Sequence, residues 1–108
     1  MPAFALLGIA ILSEVAATLA LRASDGFSRP LPVAVVIAGY GLSFWLMALA
    51  LRHIPVSLTY AIWSGTGTAL VAVAGVLVFG ESMNLMKLAS LAIIVLGVAG
   101  LSAAGGAH

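Results

Sequence analysis

The sequence has no cysteine, and charged residues make up only 6% of its 108 positions. The first absence excludes disulfide frameworks, thiolate nucleophiles and sulfur-based metal sites together. The second excludes an aqueous globular domain, in which about a quarter of residues carry charge. A soluble four-helix bundle needs a polar face on every helix, and four basic with three acidic residues cannot coat four helices. The basic residues, Arg22, Arg29, Arg52 and Lys87, are scattered, so the chain carries no footprint for nucleic acid. No metal or cofactor is expected.

What is present is apolar: 64% of the residues. A helix needs roughly 20 apolar residues to cross about 30 Å of hydrocarbon, so the interruptions in the apolar pattern mark the organisation. Three stand out: Arg22 to Pro32 with its Asp25-Gly26 turn signal and two prolines, Arg52 to Ser57 with Pro55, and Gly80 to Lys87. They predict four membrane helices at about residues 3–21, 33–51, 57–79 and 86–104, in one transmembrane domain covering 1–108. The barrel signature, ten-residue alternation of apolar and polar residues, is absent. The first segment does not read as a cleaved signal, because no Lys or Arg precedes it and Glu14 lies inside it.

Four spans place both termini on one side. The first and third loops then carry Arg22, Arg29 and Lys87 against Arg52 on the terminal side, a weak bias that specifies orientation poorly. A chain that inserts both ways can form an antiparallel pair.

Glu14 is the only ionisable side chain well inside a segment, about 12 Å along the helix axis from Arg22. A charge at that depth costs at least roughly 2.5 kcal/mol, and such residues mark ion pathways, proton relays or ligand counter-ions. A structural carboxylate paired with a buried cation is the alternative, and no Lys or Arg lies well inside the segments to pair with it. Protons and organic cations are therefore the expected partners, and competition between them for one carboxylate couples proton entry to cation exit.

The neighbouring faces suit a lipophilic cation. Thr18 and Ala17 lie on the Glu14 face of the first helix, and Tyr40, Ser43 and Phe44 share a face of the second. Tyr60, Trp63 and Ser64 share a face of the third, and ring faces attract organic cations by up to about 2 kcal/mol when desolvated. Phe44 equally suits a lipid-facing position, and Tyr60 an interfacial anchor. Gly65 and Gly67 weaken the middle of the third helix and are candidate hinge residues. On the fourth helix Ser90 and Gly97 lie on one stripe of small residues, which reads as a dimer interface.

These residues resemble the small multidrug resistance transporters along essentially the whole chain. The match comprises Ser13-Glu14-Val15 with Thr18, Gly26-Phe27 with Arg29, Tyr40 with Ser43-Phe44-Trp45, and Ile54-Pro55 followed by Tyr60-Ala61-Ile62-Trp63-Ser64-Gly65, with Gly80-Glu81 and Leu96-Gly97-Val98. The resemblance implies an antiparallel homodimer of a multi-pass protein in the bacterial inner membrane. It also implies that Glu14 alternates between protons and a cationic substrate, that Tyr40, Tyr60 and Trp63 form aromatic walls, and that the fourth helix makes the dimer contact. Ala17, Tyr40 and Ser64 stand where the guanidinium-exporting branch of that family usually carries tryptophan, another residue and threonine, so the resemblance points to quaternary-ammonium and aromatic cations. Ser13 departs from the family's usual small apolar residue, and a hydrogen bond from it to Glu14 or to the partner of Glu14 is expected.

Other readings remain open. A proton-carrying ring subunit of a rotary machine also buries one carboxylate, and it predicts a two-helix hairpin. Within the family, a guanidinium or polyamine exporter, or a subunit that works only beside a different homologue, fits the same composition. None of these is an enzyme.

Overall fold

A computed structural model describes residues 2–104. Four helices follow one another: α1 (Ala3–Ala23), α2 (Pro30–Ala50), α3 (Val56–Phe79) and α4 (Leu85–Ala103). All four are long and apolar enough to cross a membrane, and no strand occurs among the described residues. At 1.5 Å per residue they measure roughly 28 to 36 Å, which matches a hydrocarbon layer of about 30 Å. Internal packing divides the chain into two units, Met1–His53 and Ile54–His108.

Helix ends follow local chemistry. α2 starts at Pro30 rather than at 33, because proline is well suited to the first turn, where its missing N–H has no intrahelical partner to lose. α1 runs on through Arg22 to Ala23, since nothing before Ser24 opposes helix. The reversal is then built on Ser24, which is fully buried. Its hydroxyl donates to the Leu21 carbonyl at 2.7 Å and accepts from the Phe27 N–H at 3.1 Å. Its own carbonyl accepts from the N–H groups of Ser28 and Arg29 at 2.9 and 3.1 Å. Asp25, Gly26 and Phe27 all take left-handed backbone, with φ of 51°, 68° and 67°. Glycine adopts that region freely, whereas a bulky residue such as Phe27 is strained there.

In the first unit α1 and α2 form an antiparallel hairpin. Leu7, Ala10, Ile11, Val15 and Ala17 of α1 are buried, as are Val36, Ser43, Leu46 and Ala50 of α2. Small residues at the contact let the two backbones approach, which in lipid replaces the hydrophobic drive that would operate in water.

In the second unit Pro55 precedes α3 and its carbonyl accepts from the Thr59 N–H at 2.9 Å. Gly80, with φ of 68°, ends α3 in the left-handed conformation that glycine adopts at helix C-termini. Asn84 caps α4 by accepting from the Lys87 N–H at 2.9 Å. α3 and α4 approach at Gly65, where an added Cβ would lie 2.5 Å from Val98 Cγ2 and 3.3 Å from Ile94 Cγ2. No residue of α4 is buried.

Candidate functional site

The α1–α2 hairpin gathers Thr18 and Tyr40 beside Glu14. One helical turn below it, Thr18 donates from Oγ1 to Glu14 Oε1 at 2.9 Å. Tyr40 of α2 places its hydroxyl 2.7 Å from the same Thr18 oxygen. With the Thr18 proton directed at the carboxylate, the Tyr40 hydroxyl is the donor of that second bond, so a chain runs Tyr40 to Thr18 to Glu14. The other carboxylate oxygen, Oε2, is buried and has no hydrogen-bond partner among the described residues. Buried carboxylate oxygens are normally satisfied, and one left open marks a place for a proton or a ligand.

Two backbone features hold this arrangement. Ser13 donates from Oγ to the Gly39 carbonyl at 2.8 Å, tying α1 to α2. The expected bond from Ser13 to Glu14 is therefore replaced by one to the neighbouring helix, because adjacent positions on a helix point about 100° apart and only Glu14 is on the Thr18 side. Gly39 itself has no room for a side chain: a Cβ there would lie 2.8 Å from Ala17 Cβ and 3.2 Å from the Ser13 carbonyl oxygen. This close approach next to Tyr40 brings the phenol within reach of Thr18.

Ser43 is fully buried and its hydroxyl has no hydrogen-bond partner among the described residues. In a helix a serine usually bonds back to the carbonyl four residues earlier, which here is Gly39, the acceptor already taken by Ser13. Phe44 is half exposed and stacks on Tyr40, with ring centroids 6.1 Å apart and planes at 17°.

In the second unit Tyr60 and Trp63 meet edge to face, centroids 5.6 Å apart at 68°. Ser64 donates to the Tyr60 carbonyl at 2.9 Å, so its hydroxyl is turned back on its own helix. α3 is continuous through Gly65 and Gly67, both buried. Ser90 likewise bonds back to the Met86 carbonyl at 2.8 Å, and Gly97 faces open space, with nothing within 4 Å of an added Cβ. The structure thus brings Glu14, Thr18 and Tyr40 into one network with Phe44 beside it. Ser13 and Gly39 are the members that spacing alone did not single out as a pair.

A model of the Small Multidrug Resistance protein family matches residues 2–94. The chain belongs to this family. A multidrug resistance protein, EbrA, from Bacillus licheniformis is 52% identical over 90 residues, covering 83% of this chain and 86% of that protein. The quaternary ammonium compound-resistance protein QacF of Klebsiella aerogenes is 44% identical over 96 residues, covering 89% and 87%. QacC of Staphylococcus aureus, named for the same resistance, is 35% identical over 100 residues, covering 93% and 94%. As a small multidrug resistance protein with four apolar membrane-length helices, the chain is a multi-pass protein of the bacterial plasma membrane and a transporter rather than an enzyme.

Proposed function

We propose that this small multidrug resistance protein exchanges protons for lipophilic, aromatic or quaternary ammonium cations, with both competing for Glu14. The observation that carries the proposal is the asymmetric carboxylate: Oε1 is held by Thr18, and Oε2 is buried without a hydrogen-bond partner among the described residues. A carboxylate in that state takes either a covalent proton or a cation, and not both. When protons are plentiful on one side of the membrane they occupy Glu14. A cation arriving from the other side displaces them, and the exchange couples the two gradients.

Each remaining side chain has a role in this scheme. Thr18 and Tyr40 orient the carboxylate, Ser43 offers its hydroxyl, and Tyr40, Phe44, Tyr60 and Trp63 offer ring faces to the cation. Ser64, whose proton goes to the Tyr60 carbonyl, offers its hydroxyl oxygen as an acceptor. Gly65 and Gly67 let α3 bend as access alternates. Residues 1–108 act as one transmembrane domain, and two copies assemble as an antiparallel homodimer along the α4 stripe of Ser90 and Gly97. That no residue of α4 is buried within one chain supports that assembly.

The relatives named for quaternary ammonium resistance favour this substrate class over guanidinium or polyamines. A second reading, a heteromeric pair, is favoured by the presence of two distinct relatives, EbrA and EbrB, in one Bacillus licheniformis strain. Reconstituting the purified chain alone in proton-tight vesicles and measuring uptake of an aromatic quaternary ammonium ion distinguishes the two. Proton-driven uptake supports the homodimer, and uptake only on addition of a second homologue supports the pair.

A further inference from the structure

In the first unit two buried side-chain oxygens have no hydrogen-bond partner among the described residues, Glu14 Oε2 and Ser43 Oγ. The first is an acceptor, and the second is a hydroxyl with a proton to give. Oε2 is open because Thr18 holds only the other carboxylate oxygen. Ser43 is open because of a residue on the neighbouring helix. α2 is helical from Pro30 to Ala50, so the Ser43 N–H donates to the Gly39 carbonyl in the ladder that joins each residue to the one four before it. A carbonyl oxygen has two lone pairs, and the helix uses one. Ser13 takes the second, donating from Oγ across 2.8 Å. The bond through which a helical serine ordinarily disposes of its own proton is therefore blocked at Ser43. Ser64 and Ser90 show the ordinary outcome, each donating to the carbonyl four residues earlier at 2.9 and 2.8 Å.

The register between the helices brings the open serine close to the carboxylate. A Cβ at Gly39 would touch both the Ser13 carbonyl oxygen and Ala17, so Gly39 stands level with the turn of α1 that carries Glu14. In an antiparallel hairpin Ser43, one turn further along α2, then lies about 4 to 5 Å along the axis from Glu14. Both oxygens are buried, and a movement that admits a cation to Oε2 opens the adjoining hydroxyl with it.

We propose that Ser13 is a positioning residue for cation selection: by filling the Gly39 carbonyl it leaves the Ser43 proton for the ligand, and so favours organic cations that carry an oxygen acceptor near the charged nitrogen. The proposal rests on the reading of Glu14 as the cation site and adds to it a choice among cations. The positive nitrogen lies against Oε2, and the acceptor oxygen takes the Ser43 proton. A purely alkyl cation leaves that buried donor unsatisfied, which lowers its affinity relative to an acceptor-bearing cation of the same shape. Ser13 acts through Ser43 rather than on the ligand.

The test is equilibrium binding, to the full chain in detergent, of methoxyethyl-trimethylammonium and butyltrimethylammonium, which match in shape and differ by an ether oxygen in place of a methylene. The readout is the ratio of their affinities, because a looser hairpin or a weakened Glu14 lowers both affinities and leaves the ratio alone. Ser13→Ala returns the Gly39 carbonyl to Ser43 and should lower the ratio of ether to alkyl cation by about five-fold, the scale of one hydrogen bond. Ser43→Ala should lower it by the same factor, and Ser13→Ala should add nothing in that background. Ser13→Thr keeps a donor for Gly39 and should keep the ratio. A ratio unchanged in Ser13→Ala, or lowered by Ser13→Ala in a chain that already carries Ser43→Ala, overturns the proposal. So does an equal loss of both cations in Ser43→Ala, which would give the Ser43 proton to Glu14 itself. Were Glu14 not the cation site, Glu14→Gln would bind both cations as the unsubstituted chain does.

Discussion

Thr18 Oγ1 donates to Glu14 Oε1 across 2.9 Å, one turn apart on the same helix. A hydrogen bond to an ionised group contributes about 1.5 to 3 kcal/mol, and this one holds the carboxylate oxygen in place for a bound cation. Thr18→Val keeps the shape and removes the donor. Cation affinity at fixed pH should fall by roughly ten-fold or more, on the order of 1.4 kcal/mol, in equilibrium binding to the purified protein. Tyr40→Phe acts only through Thr18 and should cost less for a cation without aromatic groups. An unchanged affinity in Thr18→Val would remove the threonine from the site.

The Gly39 contact predicts a rescue. Gly39→Ala places a Cβ 2.8 Å from Ala17 Cβ, and overpacking of this kind typically costs about 1 to 3 kcal/mol. Thermal unfolding in detergent should show the loss. Ala17→Gly in the same chain should restore part of it, because the closest collision is between those two methyl groups while the Ser13 carbonyl oxygen stays 3.2 Å from the new Cβ. Additive losses would mean that the helices are not in register at Gly39.

α3 and α4 offer the parallel experiment. Gly65→Ala meets Val98 Cγ2 at 2.5 Å, so it should lower stability, and Val98→Ala should relieve it. A hinge at Gly65 has a separate signature: transport slows while equilibrium cation affinity stays unchanged in the relieved double variant.

The aromatic pair predicts selectivity. Trp63→Ala and Tyr60→Ala remove ring faces that attract organic cations by about 0.5 to 2 kcal/mol, more as the site excludes water. Affinity for an aromatic quaternary ammonium should drop several-fold more than affinity for tetramethylammonium. Equal losses for both cations would make the pair structural.

Much of the fold was legible because hydrocarbon imposes coarse rules. Length and the breaks at Asp25-Gly26, Pro55 and Gly80 are enough to delimit four membrane helices, since each span must satisfy its own backbone. Ends were harder. Pro30 and Pro32 read as a boundary, yet proline fits a first turn, so α2 begins earlier than 33. Depth alone singled out Glu14, and spacing placed Thr18 on the same helix face, whereas the hydrogen bond between them is read from the structure. The bond from Ser13 to Gly39 was not legible, because it depends on the register between two helices, and nothing in a single helical period reports register. The same holds for Glu81 folding over Gly75, a contact set by the left-handed Gly80.

Proton release on cation binding tests the central proposal most directly. Adding an aromatic quaternary ammonium ion to the purified chain in weakly buffered solution should release protons from the unsubstituted protein. With Glu14→Gln there should be no release and no measurable binding. Cation binding that persists in Glu14→Gln, or binding to the unsubstituted protein with no protons released across the pH range where it binds, would contradict competition at this carboxylate.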